Sequence, residues 1–186
     1  RAYSIAYHLR PPTRVRKIEP AGSVRIEPAA EDVLRHVHLK TGKIPRSGDP
    51  ITGRMPLLFN DDVVIARCRP AQPQAELYRN ALCDEMLFIH HGRGVLHTLF
   101  GPLPFKPCDY VVIPRCTTYR LEFEASGGQP DLLVIESRGT IGFPPRYLNP
   151  DGQFRLGAPF CDRDLHGPTE LAVLDQDEAT TLIIKD

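Results

Sequence analysis

The sequence carries no net charge: 23 Lys and Arg balance 23 Asp and Glu. That argues against nucleic acid or an acidic membrane surface as the main partner, because both recruit proteins through surplus positive charge. Long apolar runs are missing too. Val111-Val112-Ile113 and Leu132 to Ile135 are typical of what is there, far short of the ~20 residues a membrane-spanning helix needs. The five cysteines, Cys68, Cys83, Cys108, Cys116 and Cys161, contain no C-x-x-C pair, which makes a zinc ribbon a poor reading. Their odd number and wide spacing disfavour a disulfide framework, so they read as reduced, mostly buried thiols of a cytoplasmic protein. The seven histidines form no H-E-x-x-H pattern. His36 and His38 make the single H-x-H, and no carboxylate follows within several residues, so a solvated polar stretch is the better reading than a metal site. Long helices have little room, since 19 Pro and 14 Gly make roughly one residue in six a helix breaker.

What is present is globular and strand-like. Hydrophobic residues at 41% and charged residues at 25% exclude wholesale disorder. Short β-branched or alternating runs recur at Asp62 to Arg69, Glu85 to His91, Gly94 to Phe100, Tyr110 to Ile113, Thr118 to Glu124, Leu132 to Glu136 and Ala179 to Ile184. Strands at such spacing, punctuated by Gly and Pro, predict an all-β sandwich or barrel. Upstream the pattern is weaker. Tyr7 to Thr13 (YHLRPPT) reads as extended or turn, Val24 to Ile26 as a possible short strand, Ala30 to Leu39 as a faint helical period, and Lys40 to Pro56 as loop. Gly139 to Pro168 has many Gly and Pro and no period, which suggests a segment packed on a neighbour. The expected organisation is an N-terminal wrapping segment (1–60), a barrel core (61–138), and a long interface loop with closing strands (139–186).

Two segments have the spacing of cupin motifs, which belong to small jelly-roll barrels. Glu85 is followed by six residues and Gly92. Cys108 is followed by five residues and Pro114, then Cys116, two residues, Tyr119, three residues and Phe123, and 15 residues separate Gly92 from Cys108. The ligands are missing, however. The first-motif His-x-His falls on Tyr78 and Asn80, or on Arg79 and Ala81, and the second-motif His falls on Tyr119. Only Glu85 matches, and one carboxylate does not hold Fe(II) or Zn(II) against water. Two readings of Glu85 remain. In one it is a carboxylate satisfied by Arg79, Arg115 or Arg120; in the other, Glu85, Tyr78 and Tyr119 line a vestigial small-molecule pocket. Cys108 and Cys116 stand where the motif has Gly, so either both turns have ordinary φ or both carry strain.

The segments YRNALCDEMLFIHHGRGVLHTLFGPL (Tyr78 to Leu103), DYVVIPRCTTYRLE (Asp109 to Glu122), LLVIESRGTIGFPPRYLNPDGQF (Leu132 to Phe154) and APFCDRDLHGPTE (Ala158 to Glu170), with YHLRPPT, resemble the N-terminal half of the homogentisate 1,2-dioxygenase family. The resemblance implies an Fe(II)-dependent opening of the homogentisate ring by O2 to maleylacetoacetate, in tyrosine and phenylalanine breakdown. It also implies that the iron ligands, two His and one Glu, lie in a C-terminal barrel outside this sequence, along with the catalytic residues. The chain would then be an excerpt that also lacks the family's extreme N-terminus, inactive alone, with no cofactor of its own. Implied partners are that C-terminal catalytic barrel, further copies in a trimer or hexamer, and a small aromatic acid substrate for the intact enzyme. Arg146, Tyr147, Phe154, Phe160 and Arg163 are candidate interface anchors, since Arg and aromatic side chains are favoured there. The alternatives are a free-standing metal-free cupin binding a small aromatic or sugar acid, and a related dioxygenase acting on another hydroxylated aromatic acid.

Overall fold

Alternation in Thr118 to Phe123 turns Tyr119 and Leu121 to one side and Arg120 and Glu122 to the other, and the first pair is almost wholly buried. The same period-2 logic builds the rest of the chain. The computed structural model describes residues 7–11, 14–29, 33, 35–173 and 178–186. Its strands are β1 (Arg54–Phe59), β2 (Val63–Cys68), β3 (Leu77–Asn80), β4 (Asp84–His91), β5 (Gly94–Thr98), β6 (Gly101–Phe105), β7 (Tyr110–Ile113), β8 (Thr118–Phe123), β9 (Asp131–Ser137) and β10 (Leu182–Lys185). Helical structure among the described residues is confined to 3₁₀ turns at Thr41–Lys43, Ala125–Gly127, Pro145–Tyr147 and Asp162–Asp164.

The strands form two five-stranded sheets, ordered β1-β2-β9-β4-β7 and β10-β3-β8-β5-β6. Without β1 and β10, the eight remaining strands have the order of a two-Greek-key jelly roll, the architecture of cupins. The fold class is therefore the expected all-β cupin-type barrel. Every pairing is antiparallel except β10 with β3, where Ile183 sits beside Tyr78 and Lys185 beside Asn80. The core fills the space between the sheets. Leu87, Ile89, Val111, Ile113, Leu132, Val134, Ala66 and Cys68 face inward from one side, and Leu96, Leu121, Phe105, Tyr78 and Tyr119 from the other. Each fully buried large apolar side chain contributes about 1.5–3 kcal/mol.

Three strands escaped the sequence reading. β1 begins inside the segment assigned to loop and runs past its end to Phe59, so strand structure starts at Arg54, ahead of residue 61. Pro56 hid it, but β1 is an edge strand with a bulge between Pro56 and Leu58, and an edge tolerates a missing N–H. β6 hid behind Pro102 and Pro104 for the same reason, at the edge of the other sheet. β3 is only four residues of mixed polarity.

Among the described residues, the N-terminal segment up to Lys40 has no helix or strand. Residues 7–11, 14–29 and 35–40 are exposed except for partial cover at Ile26, and Val24 to Ile26 is irregular rather than strand. The described part of Ala30 to Leu39 shows no helix; residues 30–32 and 34, like Pro12 and Thr13 of the opening motif, lie outside the described residues. His36 and His38 are exposed and irregular. Further on, hydrogen bonds tie the chain to the barrel. The Ser47 amide donates to the Arg69 carbonyl, Gly48 O accepts from Ala71 and Gln72, and Arg46 Nη1 donates to Pro130 O at 2.6 Å.

From Arg138 to Thr181 the chain crosses from one sheet to the other. It is anchored at its start by Asp84, whose Oδ2 accepts the Ile141 amide at 3.0 Å. Near its far end Glu170 lies so close to Gly101 that a Cβ there would meet the Glu170 carbonyl oxygen at 1.8 Å. The described part of this segment carries two 3₁₀ turns and no strand, and one strand, β10, follows it.

Both cysteines at motif glycine positions adopt left-handed backbone: φ is 74° at Cys108 and 65° at Cys116. The turns keep the glycine geometry without the glycine. Cys108 donates its amide to Ile89 O and Cys116 to Asn80 O, both at 2.8 Å, which holds the strained conformation in place. All five thiols are free, but only Cys68 and Cys83 are buried, so "mostly buried" is corrected.

Candidate functional site

β4 and β9 run side by side with Glu85 directly opposite Glu136, both on the inner face. Two carboxylates so placed repel unless a cation lies between them. Arg54, entering from β1, supplies it. Its Nη1 donates to Glu85 Oε1 at 2.5 Å and to Glu136 Oε1 at 2.8 Å, and its Nη2 donates to the Tyr119 hydroxyl at 2.9 Å. Tyr119 in turn donates to Glu85 Oε2 at 2.5 Å. Lys185 of β10 donates to Glu136 Oε2, so two cations meet two carboxylates.

Asn80 completes the network. Its amide nitrogen reaches Glu85 Oε1 at 3.2 Å and Glu136 Oε2 at 3.4 Å. Its oxygen accepts the Leu82 and Cys83 amides, which shapes the turn from β3 to β4. Tyr78 lies under the guanidinium, with Arg54 Cζ 5.4 Å from its ring centre, and packs edge-on against Tyr119. Glu85 is 1% exposed, Tyr119 0% and Tyr78 3%.

Electrostatics follow from burial and pairing. Desolvation pushes the Tyr119 and Tyr78 phenols up, outweighing Arg54, so both stay protonated. Burial works against the Arg54 charge, but Glu85, Tyr119 and Glu136 more than restore it, and its pKa rises above the ordinary guanidinium value. Burial alone would raise Glu136; Arg54 and Lys185 hold it below the usual carboxylate value. Burial pushes the Cys68 thiol up to about 11, opposed by Arg54. At the end of the sheet Asp84 is also lowered, since the Arg115 and Ile141 amides and the Arg115 guanidinium outweigh its desolvation.

The three residues singled out by motif spacing, Glu85, Tyr78 and Tyr119, are thus brought together. The space between them holds the Arg54 guanidinium. The ambiguity in the first motif resolves to Tyr78 and Asn80, which face inward; Arg79 faces outward and binds Thr118 Oγ1. None of the proposed partners reaches Glu85. Arg115 is taken by Asp84, and Arg120 lies 3.6 Å from Glu122. Arg54 was missed because it lies outside both motif windows, in a segment assigned to loop. An inward-facing Glu85 with no Lys or Arg on its own strand was the available signal.

The iron implied by the family resemblance does not fit here. Its positions carry two phenols, an amide and a carboxylate, and a guanidinium already fills the centre. Among the described residues no three His, Cys, Asp or Glu side chains group as metal ligands. No helix among them is long and apolar enough to cross a membrane.

The candidate interface residues fall into two sets. Tyr147, Phe154 and Phe160 pack on one another and on Phe143, with ring centres 4.7 to 5.3 Å apart. Arg146 stacks on Tyr147 at 4.7 Å, whereas Arg163 is exposed. An open depression of about 430 Å³ adjoins them, lined in part by Phe154, Phe160 and Arg163 and by no residue of the Arg54 network.

No protein-family model matches the chain. It is similar to a protein of Saccharolobus solfataricus named "putative dioxygenase", 36% identical over 184 residues, which cover 98% of this chain and 47% of that protein. Among solved structures, a cupin-2 domain protein from Shewanella frigidimarina aligns at a TM-score of 0.39 and 12% identity, over 45% of this chain and 78% of the other. A protein from Ralstonia eutropha titled "putative mannose-6-phosphate isomerase" aligns at 0.44 and 20% identity, over 55% and 98%. The jelly-roll assignment rests on the strand order of this chain. The chain spans about half the length of the curated relative it matches.

Proposed function

We propose that this chain is the metal-free, scaffolding jelly roll of a ring-cleaving dioxygenase, one that converts homogentisate and O2 to maleylacetoacetate with Fe(II) held by another part of the intact protein. The coarser part, a cupin-fold protein of dioxygenase type, is supported by the strand order and by the similarity to the Saccharolobus protein. The finer part, the substrate, is supported by the family-like segments between Tyr78 and Glu170. The observation that carries the scaffolding role is Arg54. It closes the barrel interior with an ion network where a catalytic cupin keeps an open ligand set, so the polar residues serve each other rather than a substrate. The filled interior also favours this reading over a free-standing ligand-binding barrel.

In this reading the loop from Gly139 onward faces the catalytic barrel or another subunit of a trimer or hexamer. Arg146 and Arg163 lie at its surface, and Tyr147, Phe154 and Phe160 stiffen it. The test is oxygen uptake and product formation with homogentisate, together with iron content, for the protein from the full reading frame and for the 186-residue chain. The full protein is expected to bind iron and turn over, and the chain alone to do neither. Stoichiometric iron with activity in the chain alone, or an iron-loaded full protein inert to homogentisate, overturns the proposal.

A further inference from the structure

The two sheets present opposite outer faces. On the sheet containing β8, the residues pointing away from the core include Arg79, Thr118, Arg120, Glu122 and His97, with His97 Nε2 2.9 Å from Glu122. Along β8 and β5 this is largely a polar face, with Ile184 of β10 48% exposed at its edge. On the other sheet, one register line crosses all five strands as Leu58, Ile65, Ile135, Met86 and Val112. The adjacent line runs Met55, Arg67, Leu133, Phe88 and Tyr110, and its single charge, Arg67, is buried and paired with Asp131 at 2.7 Å. Leu58 is 61% exposed, Met55 49% and Val112 44%.

An antiparallel sheet that faces water alternates apolar-in with polar-out. This one is apolar along two adjacent register lines of its outer face, the Arg67–Asp131 pair excepted. Contiguous apolar surface of that kind marks an interaction site, and the lack of charge along the Leu58–Val112 line fits a permanent rather than a transient contact. The length of the relative indicates what covers it. The Saccharolobus relative aligns with nearly all of this chain over 47% of its own length, which leaves about one more domain of polypeptide.

We propose that the outer face of β1-β2-β9-β4-β7 is the docking surface for the remaining half of the intact protein, by apolar packing centred on Ile65, Ile135 and Met86. A second layer of secondary structure laid about 10 Å above the sheet would bury this line as the inner face is buried. The inference rests on the two-part protein invoked in the proposed function, but it is read out without any activity.

Single cysteines tested in the protein from the full reading frame decide it. Leu58→Cys and Val112→Cys probe the apolar face, and Arg120→Cys probes the polar sheet. Maleimide labelling is read site by site by peptide mass spectrometry, under native conditions over a range of concentrations and again in urea. The proposal expects positions 58 and 112 to label at least tenfold more slowly than 120 at every native concentration, and all three to label fully in urea. Equal native rates at the three positions overturn it. So does protection at 58 and 112 that vanishes on dilution to monomer, since a second copy would then be the cover. Absence of homogentisate turnover leaves this result unchanged, so the two proposals fail separately.

Discussion

The Tyr119 hydroxyl stands between opposite charges, donating to Glu85 Oε2 at 2.5 Å while accepting from Arg54 Nη2 at 2.9 Å. Tyr119→Phe removes both contacts and nothing of the ring. A buried carboxylate oxygen then loses its donor, at a cost of about 1–3 kcal/mol. The urea midpoint is expected to fall accordingly with the m-value unchanged. An unchanged midpoint would mean that water replaces the phenol.

Arg54→Met should be more damaging, since it strands two facing carboxylates in the core. Losing one side of a buried ion network costs about 3–5 kcal/mol. Adding Glu85→Gln to Arg54→Met should recover most of that loss, because Glu136 keeps Lys185 and the remaining charges stay matched. Unfolding curves of the single and double variants make the comparison.

Acid sensitivity should have opposite signs in these proteins. In the native protein Glu136 is held below its ordinary value by Arg54 and Lys185. The unfolded chain therefore binds a proton that the folded one refuses, and stability rises with pH through that window. The stabilisation is complete above the unfolded value, near 4.5, and is lost as pH falls through the lowered folded one. In Arg54→Met the two facing carboxylates keep only Lys185, so protonation relieves their repulsion and the gap to the native protein should narrow on acidification. Melting temperatures between pH 3 and 7 test both slopes.

Cys108→Gly and Cys116→Gly should each stabilise the fold. Both side chains are exposed, and both backbones sit at positive φ. Relief of the left-handed strain gives up to about 1 kcal/mol, reduced by the greater freedom of glycine in the unfolded chain. The matching alanine variants keep the strain and should show no gain in melting temperature.

Gly101→Ala is expected to free one end of the long crossover. Its φ of +119° already disfavours a side chain, and the obstacle is backbone, the Glu170 carbonyl oxygen. The variant should be cut by protease around Pro168–Val173 faster than the native chain. Unchanged cleavage would show that this contact does not hold the segment.

Strands with clear alternation were legible from sequence. Thr118 to Glu124 came out nearly as observed because its inward and outward residues differ sharply in polarity, and Tyr110 to Ile113 because it is a β-branched run that stops at Pro114. β1 and β6 were not, since proline is a strand breaker only where its N–H is needed, and edge position is a tertiary fact. The site was half legible. Motif spacing found Glu85, Tyr78 and Tyr119, but spacing is blind to Arg54 and Lys185, which arrive from the first and last strands. What joins them is charge balance within a closed space, and that appears only once the sheets are stacked.

β10 gives the fold a clock. A chain emerging from the ribosome completes β4 and β9, and with them Glu85 and Glu136, well before Lys185, 49 residues after Glu136, is made. Until then the nascent barrel holds two carboxylates against Arg54 alone, and β3 has β8 on one side only. Native closure must wait for this long-range, parallel pairing, the slowest kind to form. Within this barrel β10 is made last and supplies the second cation, so a barrel without it is penalised electrostatically until it arrives.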